Sequence, residues 1–112
     1  MGIRAKELRI GNLVNCLDET YEVSGLGTRN DVISLKGRNL TAMNLINGIV
    51  INEKLLIKLG FNFNGLNFVN QFITIDSKDN CFRIWLGSCF VKNIKYVHEL
   101  QNLFYVLTNK EL

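Results

Sequence analysis

Only one stretch of this chain carries apolar residues at helical spacing for more than two turns: the last 19 residues, Ile94–Leu112 (IKYVHELQNLFYVLTNKEL). The rest is cut into short runs by Gly, Asn, Asp and Ser. A 112-residue chain built this way must bury most of its apolar surface in β-sheet, with one long helix to close it. Asn93 is placed to cap that helix, which is expected over residues 93–109. At 100° per residue, Ile94, Tyr96, Val97, Leu100, Leu103, Phe104, Tyr105 and Leu107 form one apolar arc of about 200°, against about 100° for an ordinary surface helix. Lys95, His98, Glu99 and Asn102 make the narrow polar strip. So wide an arc predicts burial on more than one side, with Tyr96 or Tyr105 as candidates for an interface with a second copy or another protein.

The remainder reads as three parts of a single α+β domain spanning residues 1–112. Residues 1–51 are β-rich. Leu8, Ile10 and Leu13-Val14 surround a kink at Gly11-Asn12. Thr20–Ser24 and Val32–Leu35 are short strands, and Leu40–Leu45 and Ile49–Ile51 flank an Asn47-Gly48 turn signal. Short strands at this spacing predict a small β-barrel or curled antiparallel sheet. Residues 52–60 read as a short helix capped by Asn52 and stopped by Gly60, with Phe61 folding back on Leu56. Leu55, Leu56 and Leu59 share its apolar face. Residues 61–91 read as an antiparallel meander, with an Asn64-Gly65 hairpin and a Ser77–Asn80 turn. In Cys81–Leu86, alternation puts Phe82, Ile84 and Leu86 inward, and Arg83 and Trp85 on the other face.

Composition narrows the function classes. The chain is 47% hydrophobic and 21% charged, which suits a globular domain rather than a disordered one. No apolar run reaches the roughly 18–20 residues of a membrane-crossing helix. The first residues read as neither a secretory signal nor a myristoylation site, so a cytoplasmic location is expected. The net charge of +3 is spread along the chain. Arg29, Lys36 and Arg38, with Asp31 among them, are the nearest approach to a basic patch for nucleic acid. Three cysteines, Cys16, Cys81 and Cys89, fit no zinc spacing and read as buried or half-buried free thiols. The chain is rich in Asn, Ile, Lys and Phe, with two Ala and no Pro. That bias fits an AT-rich genome, as in many phages and mobile elements.

The segment Ile94-Lys95-Tyr96-Val97-His98-Glu99-Leu100-Gln101-Asn102-Leu103 resembles the C-terminal helix of short uncharacterised proteins of gut Bacteroides-type bacteria and their phages. The Leu8–Val14 opening and the Leu-Gly-Phe stop at Leu59–Phe61 are similar to that group as well. The likeness spans most of the chain and implies a phage or mobile-element setting, but it carries no activity. The chain departs from the group at Ile49-Val50-Ile51-Asn52, where the group has a Pro. Leu8–Val14 also resembles the first strand of SH3-like small barrels.

Little here points to catalysis. His98 is the one imidazole, and its place beside an apolar helix face suits a structural hydrogen bond better than a general base. The carboxylates fall in turns and on polar strand faces. Asp76–Asn80 lacks the Gly and Glu of a calcium loop, and Gly25–Thr28 is not a phosphate loop. The sequence therefore predicts no enzyme, cofactor or metal. Arg83 and Trp85 are the strongest binding candidates, because an aromatic beside a guanidinium can stack on a base or anchor an interface. The alternative is that Trp85 fills space under the final helix, with Arg83 at the rim. The expectation is a non-catalytic binding protein of phage or mobile-element origin, working as a homo-oligomer or on a host protein or small signalling ligand, as in counter-defence. A nucleic-acid-binding small barrel and a virion or assembly component are the alternatives.

Overall fold

The computed structural model describes residues 7–26, 32–78 and 81–112. The chain is α+β, with two antiparallel five-stranded sheets and two α-helices among the described residues. It forms two compact units. The first holds residues 7–49 and the helical segment Tyr96–Glu111; the second holds Val50–Lys95 and Leu112.

In the first unit the strands are β1 (Leu13–Cys16), β2 (Glu19–Leu26), β3 (Val32–Leu35), β4 (Asn39–Ala42) and β5 (Ile46–Asn47). Their order in the sheet is β4-β3-β2-β1-β5. A 3-10 turn at Met43–Leu45 carries the chain from one edge to the other. Alternation puts Val14, Cys16, Val23, Ile33 and Leu35 on the buried face, and Leu8, Met43 and Ile46 complete that core. β2 continues past Ser24, where the expected strand ended, and takes up a bulge between Val23 and Gly25. The sheet is not a closed barrel: among the described residues, no hydrogen-bonded strand links β4 to β5. The two-residue β5 pairs Ile46 and Asn47 with Cys16 and Asn15 of β1.

Leu8–Asn12 is a turn rather than strand. The Asn12 N–H donates to the Arg9 carbonyl at 3.0 Å, Gly11 has φ +98°, and Ile10 is left exposed. Asn47-Gly48 makes no hairpin. Asn47 is held in the β1 pairing, and Gly48 lies against the Tyr96 ring, where a Cβ would come within 2.5 Å of Cδ1. The long helix, α2, spans Val97–Thr108 and is capped by Tyr96, not Asn93. The Tyr96 N–H donates to the Glu99 carboxylate at 2.8 Å, and Asn109 ends the helix at φ +60°. Its buried residues are Val97, His98, Leu100, Gln101 and Phe104. The expected arc is therefore only partly covered: Tyr105 is exposed, while His98, assigned to the polar strip, is buried.

In the second unit α1 (Glu53–Lys58) matches its sequence signals closely. Asn52 Oδ1 accepts from the Leu55 N–H at 2.9 Å. The Phe61 N–H donates to the Leu56 carbonyl at 3.0 Å and the Gly60 N–H to Ile57 at 3.1 Å, the two bonds of a Schellman ending, with Gly60 at φ +104°. Leu56 and Phe61 are buried, whereas Leu55 and Leu59 are half-buried. The meander follows as β6 (Asn62–Phe63), β7 (Phe68–Asn70), β8 (Ile73–Lys78), β9 (Cys81–Leu86) and β10 (Cys89–Ile94), in the order β10-β9-β8-β7-β6. The Asn64-Gly65 turn is a four-residue loop: Asn64 Oδ1 accepts from the Leu66 and Asn67 N–H groups, which lengthens the turn beyond two residues. β8 begins at Ile73, so Phe72 falls in the preceding turn and is exposed. β10 runs on to Ile94 through pairing with Phe82, which is why no helix starts at Asn93.

Candidate functional site

The sheet register of the second unit sorts its side chains onto two faces. Phe68, Ile75 and Ile84 lie in line across β7, β8 and β9, and all three are buried. The opposite face brings Thr74 and Asp76 beside Trp85 and Arg83, with Phe90 next to Trp85 on β10. Arg83 and Trp85 therefore share the face that alternation assigned them. Phe90 is part of the cluster too, a residue the sequence reading did not mark. The signal was one register step away, because Gly87-Ser88 is a hairpin turn that folds β10 back on β9.

Geometry divides this cluster into a fixed part and an open part. Arg83 grips Asp76 through two bonds, Nε to Oδ1 at 2.8 Å and Nη2 to Oδ2 at 2.6 Å. Its guanidinium carbon also lies 5.5 Å from the Trp85 ring centroid. The Asp76 carboxyl is held below its ordinary value, chiefly by the Arg83 hydrogen bonds. Trp85 Nε1 is buried without a hydrogen bond of good geometry, though its N–H lies close enough to favour ionised Asp76. Phe90 meets Trp85 edge-on at 5.4 Å and is 50% exposed. The guanidinium is committed to Asp76 and Trp85. What this face offers a partner is aromatic surface with a charged rim.

The basic candidates do not gather in the same way. Arg29 lies outside the described residues. Lys36 is exposed in the β3–β4 turn, and Arg38 is half-buried, with its guanidinium carbon 6.0 Å from the Tyr21 ring. The Tyr21 hydroxyl donates to Glu19 at 2.7 Å, and that acceptor raises the phenol pKa. An acid thus sits beside the basic turn and weakens its pull on phosphate.

The helix candidates are drawn into the first unit. Tyr96 is half-buried against Gly48 and stacks on His98 at 5.7 Å between centroids. Tyr105 lies under Arg9, 4.4 Å from ring to guanidinium. Around it is a polar clamp the sequence did not reveal. Arg9 pairs with Glu111 at 2.7 Å and donates Nε–H to Asn102 Oδ1 at 3.1 Å. Asn12 Nδ2 donates to the same oxygen at 2.8 Å, and Gln101 Oε1 accepts from the Leu13 N–H at 2.8 Å. These partners lie about ninety positions apart along the chain, so no local pattern marks them.

Cys16 is buried, but Cys81 and Cys89 are exposed, because each is the first residue of its strand. An apolar cavity of about 120 Å³ in the second unit is lined by Val50, Ile51, Cys81, Phe82, Ile94 and Lys95. Pockets for whole small ligands run to about 300 Å³ or more, so this one suits a side chain or a small apolar group. Among the described residues, no three of His, Cys, Asp and Glu gather as a metal site, and no helix is long and apolar enough to cross a membrane. No protein family, no curated protein and no solved structure matches this chain.

Proposed function

We propose that this is a non-catalytic binding protein that docks a partner protein on the outer face of its second sheet, with Phe90 and Trp85 as anchors and Arg83 at the rim. The observation that carries this reading is the exposed Phe90 ring set edge-on against Trp85. Aromatic side chains and Arg dominate binding energy at protein interfaces. A protein suits this site better than a nucleotide, because Arg83 is already bonded to Asp76 and lies over the indole ring. The phage or mobile-element origin and a counter-defence role belong to the same proposal, supported by the residue bias. A homo-oligomer joined through the exposed Tyr105 and Val106 of α2 is its second part.

One observation favours a second reading. The β4-β3-β2-β1-β5 order, the bulged β2 and the 3-10 turn before β5 support an SH3-like first unit. On that reading, nucleic acid would meet Lys36 and Arg38.

Placing a photo-reactive phenylalanine analogue at 90, 36 or 105 in turn, in the host cell, separates these readings. The proposal expects a protein adduct from position 90. A nucleic-acid adduct from position 36, with none from position 90, supports the second reading instead. A self-adduct from position 105 supports the oligomer, and a virion protein at position 90 makes the partner structural.

A further inference from the structure

The buried group that the proposed binding face leaves unused is His98, the only His in the chain. It sits in the first turn of α2 with 1% of its surface exposed. Among the described residues, neither ring nitrogen has a hydrogen bond of good geometry. Nε2 lies 3.7 Å from Glu7 Oε1, too far for a hydrogen bond. One face of the ring stacks on Tyr96. His98 shares its side of α2 with Gln101 and Asn102, three and four positions on. Those two side chains bond residues 7–13: Asn102 Nδ2 donates to the Glu7 carbonyl at 2.9 Å, and Gln101 holds the Leu13 N–H and the Gly11 carbonyl. A ring without hydrogen bonds thus lies under a segment that its neighbours bind with several.

We propose that His98 is a proton-operated latch: the neutral ring lets residues 7–13 dock on α2, and the protonated ring drives them off. A buried imidazolium with no hydrogen bond is costly, whereas water hydrates the charge once the segment lifts. Among the described residues, the formal charges acting on the ring are both acids, Glu99 on α2 and Glu7 on the docked segment. They favour the proton, but burial opposes it more strongly and lowers the pKa from its ordinary 6.5. The docked segment's other charge, Arg9, is paired with Glu111, and β1 (Leu13–Cys16) brings only the Cys16 thiol. Docking is thus favoured above pH 6.5 and weakens as the pH falls below it, towards the docked-state value. If the docked ring stays neutral throughout, the opening equilibrium rises about tenfold between about pH 7.5 and about pH 5.5.

Nuclear magnetic resonance on the full chain tests this, since a single imidazole gives one unambiguous titration. The expected result is a midpoint below 6.5, with Leu13 amide protection, corrected for intrinsic exchange, falling over the same pH range by up to about tenfold. His98→Gln should abolish that fall, and Glu7→Gln should move the midpoint lower still. A midpoint at or above 6.5 with flat Leu13 protection would overturn the latch. So would an undiminished pH response in His98→Gln. Should that variant fail to fold, the wild-type titration and Glu7→Gln decide the matter.

Discussion

Gln101→Leu removes a side chain that is 4% exposed and replaces it with one of similar volume, so no large cavity opens. What is lost is polar. The Leu13 N–H gives up a 2.8 Å bond to Oε1, and the Gly11 carbonyl gives up a 3.3 Å bond from Nε2. A part-buried donor left without a partner costs about 1–3 kcal/mol, and the longer bond adds a few tenths. Greater apolarity returns part of this, for a net loss of about 2 kcal/mol. In a chain of this size that lowers the melting temperature by about 8 °C. Urea and thermal unfolding followed by far-UV circular dichroism give both quantities. Ile57→Gln is the control: on α1 and 58% exposed, it should shift stability by no more than about 0.5 kcal/mol. If Gln101→Leu is as stable as the native chain, or more so, the polar clamp is not what holds residues 7–13 to α2.

Gly48→Ala should destabilise by about 1–3 kcal/mol in urea titrations, because its Cβ would stand 2.5 Å from the Tyr96 ring; an unchanged midpoint would contradict that packing. Leu17→Asn should raise stability by about 0.5–1 kcal/mol, since Leu17 and Asp18 form the β1–β2 turn at φ 49° and 67°, where Asn is tolerated and Leu is strained. Asp76 has a folded-state pKa below its ordinary 3.8, so its contribution to stability is present above that value and is lost as the pH falls through the folded value. Asp76→Asn should remove that share of the acid sensitivity below pH 3.8, read as a flatter dependence of the urea midpoint on pH.

Local signals in this sequence held where the chain completes its own bonds nearby. Asn52, Gly60 and Phe61 specify α1 because cap, stop and fold-back all lie within ten residues. Alternation in Cys81–Leu86 predicted the faces of β9, because period two survives any choice of partner strand. The failures occurred where a distant partner competed. Asn93 lost its cap role to β9, which draws β10 on to Ile94. Asn47-Gly48 lost its turn to β1 and to Tyr96. His98 was placed on the polar strip yet is buried, because a helical wheel treats every polar residue as solvent-facing. The proposed binding face was half legible: Arg83 and Trp85 show in one strand, but Phe90 joins them only across a hairpin.

The central claim is that Phe90 anchors a partner protein. The direct measurement is calorimetric titration of the captured partner with the native chain, Phe90→Ala and Lys36→Ala. An anchor worth about 2 kcal/mol predicts roughly thirtyfold weaker binding for Phe90→Ala, with the far-UV spectrum unchanged and Lys36→Ala within about twofold of native. Native affinity in Phe90→Ala, or a loss confined to Lys36→Ala, would contradict the account.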